Sequence, residues 1–313
     1  MKQFVNLLDL PSMEETLNLA SKFKKNPFSE KEIGKHKTLL LLFFNASLRT
    51  RLSTEKAARN LGMEVVTLNV NDAWQLEFEE GAKMNLDTAE HVKEAAAVLS
   101  QFGDILAIRA FPSLTDKEKD ASEFILTSFR KYASIPIVNM ESATLHPLQG
   151  LTDAFTINEL KLKQRPKVVL SWAPHTRALP HAVANSFVET MQQQEVDLVI
   201  THPKGYELNP AIVKDTKVVY DQELACKDAD FIYVKNWSSY QDYGKVLNTD
   251  PNWMMDLDKL GNAKFMHCLP VRRNLVVADE VLDSDQSVVT QQAGNRTYIA
   301  QSVLYQLLKN ILL

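Results

Sequence analysis

Several things are scarce in this chain. It has two cysteines in 313 residues, Cys226 and Cys268. Their wide separation argues against a disulfide framework and fits a reducing compartment. No apolar run approaches membrane-spanning length. The opening MKQFVNLLDLPSMEET has neither the apolar stretch nor the small-residue cleavage site of a secretory signal. A cytoplasmic location is the expectation. The net charge is -4 and no basic stripe offsets it, so neither nucleic acid nor an acidic membrane is an expected partner. No His/Cys cluster has metal-ligand spacing, and neither metal nor organic cofactor is expected. Internal repeats and low-complexity tracts are absent. There is no glycine between Phe43 and Leu61, which removes a Walker-type loop and a Gly-rich dinucleotide turn from the segment richest in anion donors.

What remains is an ordinary globular composition, 45% hydrophobic and 24% charged, over a length sufficient for two domains. Short apolar runs recur at Thr38–Phe44, Val65–Asn69, Asp104–Ala110, Ile135–Met140, Lys167–Ala173, Asp197–Thr201, Lys217–Tyr220, Phe231–Lys235, Lys264–Cys268 and Ser287–Thr290. Most are rich in Val, Ile and Leu without alternation, as in strands buried on both faces of a parallel sheet. Helical spacing fills the gaps at Leu48–Leu61, His91–Phe102, Glu118–Tyr132, Leu148–Leu162, Pro180–Gln193 and Asn295–Leu313. The alternation predicts an α/β protein of two domains, each a mostly parallel sheet flanked by helices. The expected division is 1–149 and 150–294, with the helix 295–313 packing back on the first domain. Asn71–Asp87 and Asn236–Trp253 read as long loops, a class often functional.

The sharpest local feature is FFNASLRTR, residues 43–51. A strand gives way there to a helix, whose first N–H groups lack intrahelical partners and whose dipole favours an anion. Ser47, Arg49, Thr50 and Arg51 add donors, and arginine can grip two phosphate oxygens at once. The expected ligand is a small phosphorylated compound; the plain alternative is a capped helix with solvated arginines. Arg109 ends the strand DILAIRA, where open α/β sheets bind ligands, and an edge salt bridge is an equal reading. His146 and Gln149 in HPLQ can donate to a carbonyl oxygen or cap a helix. Cys268, in FMHCLPVRRN with Arg272 and Arg273 just beyond, is a nucleophile, a soft contact for an amine, or inert core. Arg296, in AGNRT, is a further anion donor.

Together these motifs resemble the transcarbamylase family. FFNASLRTR looks like its carbamoyl phosphate signature, and HPLQ (His146–Gln149) and HCLP (His267–Pro270) follow in the family's order. The similarity spans nearly the whole chain. NDAW at Asn71–Trp74, IRAFP at Ile108–Pro112 and LPVRRN at Leu269–Asn274 look like the branch that carbamoylates N-acylated ornithine. The Ser-Met-Gly loop of plain ornithine enzymes is missing. The resemblance implies an aspartate/ornithine carbamoyltransferase-like fold, a homotrimer with shared active sites, and two substrates, carbamoyl phosphate and an N-acyl-L-ornithine. By the same resemblance Ser47, Leu48, Arg49, Thr50, Arg109, His146, Gln149 and Arg296 bind carbamoyl phosphate, and Trp74 reaches it from a neighbouring subunit. Glu141, Lys235 and Arg272 surround the acylornithine, and Cys268 and Leu269 lie near its reacting amine. Arg49, Thr50, Arg109, His146 and Cys268 are the expected catalytic set.

Glu90, in NLDTAEH, bears on the acyl group. Relatives using N-acetylornithine share a glutamate here, whereas those using N-succinylornithine tend to carry proline. The body of the chain is more similar to the succinylornithine group, with Gln301 and Ser302 where acetylornithine enzymes often have a lysine. A carboxylate at position 90 would repel the free carboxylate of a succinyl group, so the chain is expected to prefer the acetyl substrate; a solvated loop acid is the plain reading. A different class, a non-catalytic carbamoyl phosphate-binding or assembly protein of the same fold, is the alternative.

Overall fold

The computed structural model describes residues 1–70 and 74–311. They fall into two units. One comprises Met1–Ser113, Glu118–Leu148 and the chain from Arg296 onward; the other comprises Leu114–Lys117 and Gln149–Asn295.

The strands of the first unit are β1 (Thr38–Phe43), β2 (Glu64–Asn69), β3 (Leu76–Glu77), β4 (Glu90–His91), β5 (Ile105–Arg109) and β6 (Ile137–Glu141). β3 and β4 form a small pair; the other four make a parallel sheet in the order β2-β1-β5-β6. β1 is TLLLLF and β5 is ILAIR, both buried on both faces, which explains the unbroken apolar runs. Leu42 and Ile108 of the sheet pack with Val92, Leu99 and Phe129 of the helices Val92–Phe102 and Phe124–Tyr132. From β1 the chain passes through helix Leu48–Asn60 to β2 on one side, while β5 lies on the other. The connections therefore diverge at the carboxyl ends of β1 and β5, the switch point where such sheets open a ligand crevice.

The second unit repeats this plan with one more edge strand. β7 (Lys167–Trp172), β8 (Asp197–Thr201), β9 (Lys217–Val219), β10 (Phe231–Lys235) and β11 (Lys264–Met266) form a parallel sheet in the order β11-β10-β7-β8-β9. Its switch point lies between β7 and β10. Val169, Ile232, Val234 and Phe265 carry its core.

Four sequence expectations change. Ser287–Thr290 is no strand: Ser287 makes one isolated bridge to Phe265, and helix Val289–Ile311 begins two residues later. The β-branched run favours a strand, but Val288 and Val289 are buried at the start of a helix, so packing overrides propensity. That helix starts six residues before the expected Asn295. The expected helix Glu118–Tyr132 is two, Lys117–Ala121 and Phe124–Tyr132, separated at Glu123 in the left-handed region. A helix at Met13–Lys25 was not foreseen, although Ser12 followed by Glu15 is a start signal; Ser12 Oγ accepts the Glu15 amide at 3.2 Å. It buries Leu17, Ala20 and Phe23 on one face, with the leucine and phenylalanine contributing about 1.5–3 kcal/mol each.

Candidate active site

Ser47 has extended backbone angles and caps helix Leu48–Asn60; its Oγ accepts the Thr50 amide at 3.3 Å. The cap fixes the helix start at the carboxyl end of β1. Ser47 thus acts first as an acceptor inside the protein. The two arginines that follow have different fates. Arg51 turns along the helix to Glu55 at 2.9 Å. Burial pushes the Glu55 carboxyl up, but hydrogen bonds from Arg51 and Thr67 prevail and hold it below the usual range. Arg51 is therefore a helix ion pair and not the site donor that residues 47–51 led us to expect. Arg49 is half-buried, and among the described residues its side chain has no hydrogen-bond or ion-pair partner.

Thr50 is buried, and its Oγ1 accepts a hydrogen bond from Arg296 Nη2 at 2.7 Å. A hydroxyl that accepts keeps its own O–H to donate. The same Arg296 nitrogen lies 3.5 Å from His146 Nε2. Arg109 ends β5, where the register with β6 slips so that it faces Glu141. Such a bulge re-aims side chains. Arg109 Nε donates to Glu141 Oε2 at 3.1 Å, and Nη2 lies 3.1 Å from the same oxygen. Arg109 Nη1 donates to the carbonyls of Asn45 and Ala46 at 2.7 and 2.9 Å. What the guanidinium can still offer a bound oxygen is therefore on Nη2. His146 Nε2 is 3.7 Å from Glu141 Oε2. Glu141, which the resemblance puts around the acylornithine, is also part of this buried network. Asn45, unremarked in the sequence, links the loops after β1 and β5, its Oδ1 accepting the Phe111 amide at 2.7 Å.

Trp74 and Glu90 also lie in the first unit. The indole Nε1 donates to Glu90 Oε2 at 2.7 Å, so both are held together within one chain. Asn71–Ala73 of the NDAW stretch lie outside the described residues.

The remaining expected residues belong to the second unit. Gln149 is in the first turn of helix Pro147–Leu160, and its Nε2 donates to Asp153 Oδ1 at 2.7 Å. Gln292 donates to the same oxygen at 2.7 Å and accepts the His267 amide at 3.0 Å, tying HCLP to HPLQ's helix. Lys235 ends β10 opposite Trp172, half-buried, its side chain without a hydrogen bond or ion pair among the described residues. Arg272 is exposed, and its Nε donates to His175 Nε2 at 3.2 Å. Burial lowers the His175 pKa, aided by the nearby Lys235 and Arg272 charges, which suits a ring nitrogen that accepts. Arg273 grips Asp283 and Asp279 instead. Cys268 is partly exposed beside Leu269, which has φ 56° and precedes cis Pro270. Cys226 is core: burial pushes its thiol up to about 12. Sequence reasoning missed His175, though a histidine just beyond the carboxyl end of a buried strand is the signal that picked out Arg109. Among the described residues no group of three or more His, Cys, Asp or Glu could hold a metal ion.

The first unit therefore offers a half-buried cation, a buried hydroxyl and a capped helix start at one switch point, suited to a phosphoryl group. The second offers cations at the other. Residues 2–159 match the family model of the aspartate/ornithine carbamoyltransferase carbamoyl-P binding domain, and residues 180–307 match that of the Asp/Orn binding domain. The chain is 47% identical to N-succinylornithine carbamoyltransferase of Bacteroides fragilis, covering 99% of this chain and 100% of that protein. It is 33% identical to N-acetylornithine carbamoyltransferase of Xanthomonas axonopodis pv. citri, covering 97% and 96%. A crystal structure of acetylornithine transcarbamylase complexed with acetylcitrulline superposes with a TM-score of 0.89 at 33% identity, covering 98% of this chain and 99% of that one. Two matched domains, and relatives alike from end to end, establish that this chain belongs to the aspartate/ornithine carbamoyltransferase family, in its N-acylornithine branch.

Proposed function

We propose that this protein transfers the carbamoyl group of carbamoyl phosphate to the δ-amine of an N-acylated L-ornithine, giving an N-acylcitrulline and phosphate, as a step of arginine biosynthesis. The observation that carries the reading is Arg49. A half-buried guanidinium without a side-chain partner among the described residues, at a capped helix start next to Thr50 and its contact with Arg296, is poised for an anion. Arg49 and the helix amides, Leu48 included, hold the leaving phosphate. The neutral amine attacks the carbamoyl carbon, charge grows on its oxygen, and the C–O bond to phosphate breaks, the phosphate leaving with the proton that the amine sheds. The Thr50 O–H, Arg109 Nη2 and His146 stabilise that oxygen, each such donor contributing about 10²–10³ in rate. Gln149 completes the carbamoyl phosphate set. Lys235 and Arg272 take the anionic end of the acylornithine. Cys268 and Leu269 orient its amine, and Cys268 forms no covalent bond. Holding two substrates together supplies much of the remaining acceleration.

The active form is a cytoplasmic homotrimer that shares sites. Leu48 and Leu52, four apart on one helix, and Met84 and Leu86 expose apolar surface that supports assembly. A protomer that lends Trp74 to its neighbour lends Glu90 with it, because the two are hydrogen-bonded. Glu90 sets a preference for N-acetyl-L-ornithine on a scaffold more similar to the succinylornithine relatives. Two carboxylates 4 Å apart repel by about 4 kcal/mol at an effective dielectric of ~20. Steady-state kinetics with ornithine, N-acetylornithine and N-succinylornithine, for this chain and for Glu90→Pro, test the whole reading. Acetylornithine is expected to be preferred, and Glu90→Pro to move the ratio toward succinylornithine by about tenfold or more. Absence of turnover with either acylornithine refutes the function. Identical ratios in the two proteins refute the role of Glu90 alone.

A further inference from the structure

We infer that Glu123 is a positioning residue for this reaction: its carboxylate clamps residues 142–144, between Glu141 and His146, and so sets Glu141 against Arg109 and His146 against Glu141. The inference rests on the carbamoyl-transfer reading of that site.

Glu123 stands at the break between helices Lys117–Ala121 and Phe124–Tyr132 with φ 54° and ψ 43°. That region is strained for any residue with a side chain, and glycine would fill it freely. The side chain does not cap the helix it precedes. It turns instead to the loop after β6. Oε1 accepts from Ser142 Oγ and from the Thr144 amide, both at 2.8 Å, and also from Thr144 Oγ1. Oε2 accepts the Ala143 amide at 3.1 Å. One carboxylate thus collects four donors from three consecutive residues. The loop is also folded on itself: the Ser142 amide donates to the Leu145 carbonyl at 2.8 Å, and Ser142 Oγ accepts from Asn139 at 2.9 Å.

The two ends of this span do the work at the site. Glu141 holds the Arg109 guanidinium, and His146 lies against Glu141 and Arg296. A shift of the span moves both. Asp120, three residues before Glu123, fixes the loop after β5 in the same manner, accepting the Ser113 amide at 2.8 Å and Ser113 Oγ at 3.1 Å. The two acids border one cavity of 300 Å³ walled by Phe78, Phe111, Phe124 and Leu126. An apolar wall strengthens hydrogen bonds to a charged acceptor. A break in the helix alone would require only the left-handed backbone; the four bonds require the carboxylate.

Glu123→Gly separates these roles, because it keeps the turn and removes the clamp. We expect kcat to fall about 100-fold, the scale of a small misplacement of reacting groups. Inhibition by inorganic phosphate, competing with carbamoyl phosphate at the helix start, should change less than about threefold, and relief of strain should offset much of the lost bonding in the thermal midpoint. Glu123→Gln retains one acceptor oxygen and should fall between the two in kcat. An active parent with a Glu123→Gly kcat within about threefold of it overturns the inference, as does phosphate inhibition weakening in step with kcat. Should the glycine variant fail to fold, the glutamine variant decides: an undiminished kcat there overturns the inference. A parent without carbamoyl transfer overturns the reading beneath it, a separate outcome.

Discussion

Arg109 and Lys235 occupy the same place in their respective sheets. Each ends a strand next to the switch point, in the matching orders β2-β1-β5-β6 and β8-β7-β10-β11. Their surroundings differ. Arg109 is 6% exposed, with a carboxylate and two carbonyls already on its guanidinium. Lys235 is half-buried and has no such partner among the described residues. The Arg272 side chain donates to His175, and Cys268 is partly open. The first site is built before any substrate arrives. The second leaves its cations, Lys235 and Arg272, without a carboxylate partner among the described residues. In the proposed reaction, preorganisation belongs where charge develops, and open cations belong where a carboxylate must be caught.

The largest effect tests that contrast directly. Arg109→Ala should abolish measurable turnover. It should also cost about 3–5 kcal/mol in denaturant unfolding, because Glu141 is left buried without its partner. Lys235→Ala should raise KM for the acylornithine while leaving stability within about 0.5 kcal/mol, since no internal bond is lost. Equal stability loss in both would erase the distinction. Next is the pair of neighbouring arginines. Arg49→Ala should remove most activity and weaken carbamoyl phosphate binding, measured by calorimetry. Arg51→Ala should change stability by about 0.3–0.5 kcal/mol, the scale of an exposed helix pair, and leave affinity unchanged. Unaltered carbamoyl phosphate affinity in Arg49→Ala would refute its role.

The smallest effect is a pH dependence of the second unit. Burial depresses the pKa of His181 and His202, outweighing their hydrogen bonds to backbone carbonyls. A depressed histidine favours the neutral folded form, so its stabilisation is present above the ordinary pKa of about 6.5 and is lost as pH falls below it. The thermal midpoint should therefore drop between pH 6.5 and 5, before the carboxylates titrate, and His181→Gln should flatten the drop. A midpoint constant across that window, with the parent folded, would contradict the assignment.

The strands were legible from local pattern: Asp197–Thr201 and Phe231–Lys235 have the expected ends, and most others shift by one or two residues. A parallel sheet buried on both faces leaves that mark in a single sequence. Helix breaks were less legible. Glu123 interrupts a helical pattern because its carboxylate serves a loop 19–21 residues away, a partnership no local window contains. Ser287–Thr290 misled for the opposite reason, since a strand-like composition was buried at a helix start.

The sequence by itself determined the alternation of buried strands and helices, and the helix start that Ser47 caps, because each depends on residues within one or two turns. Only the tertiary structure decided which donors stay available. Arg51 closes on Glu55 and Arg49 does not; Arg109 pairs with a glutamate 32 residues on, and Thr50 with an arginine 246 residues on. Charged groups in a crowded, poorly solvated place bind the nearest opposite charge or carbonyl. Which group is nearest is a property of the folded chain.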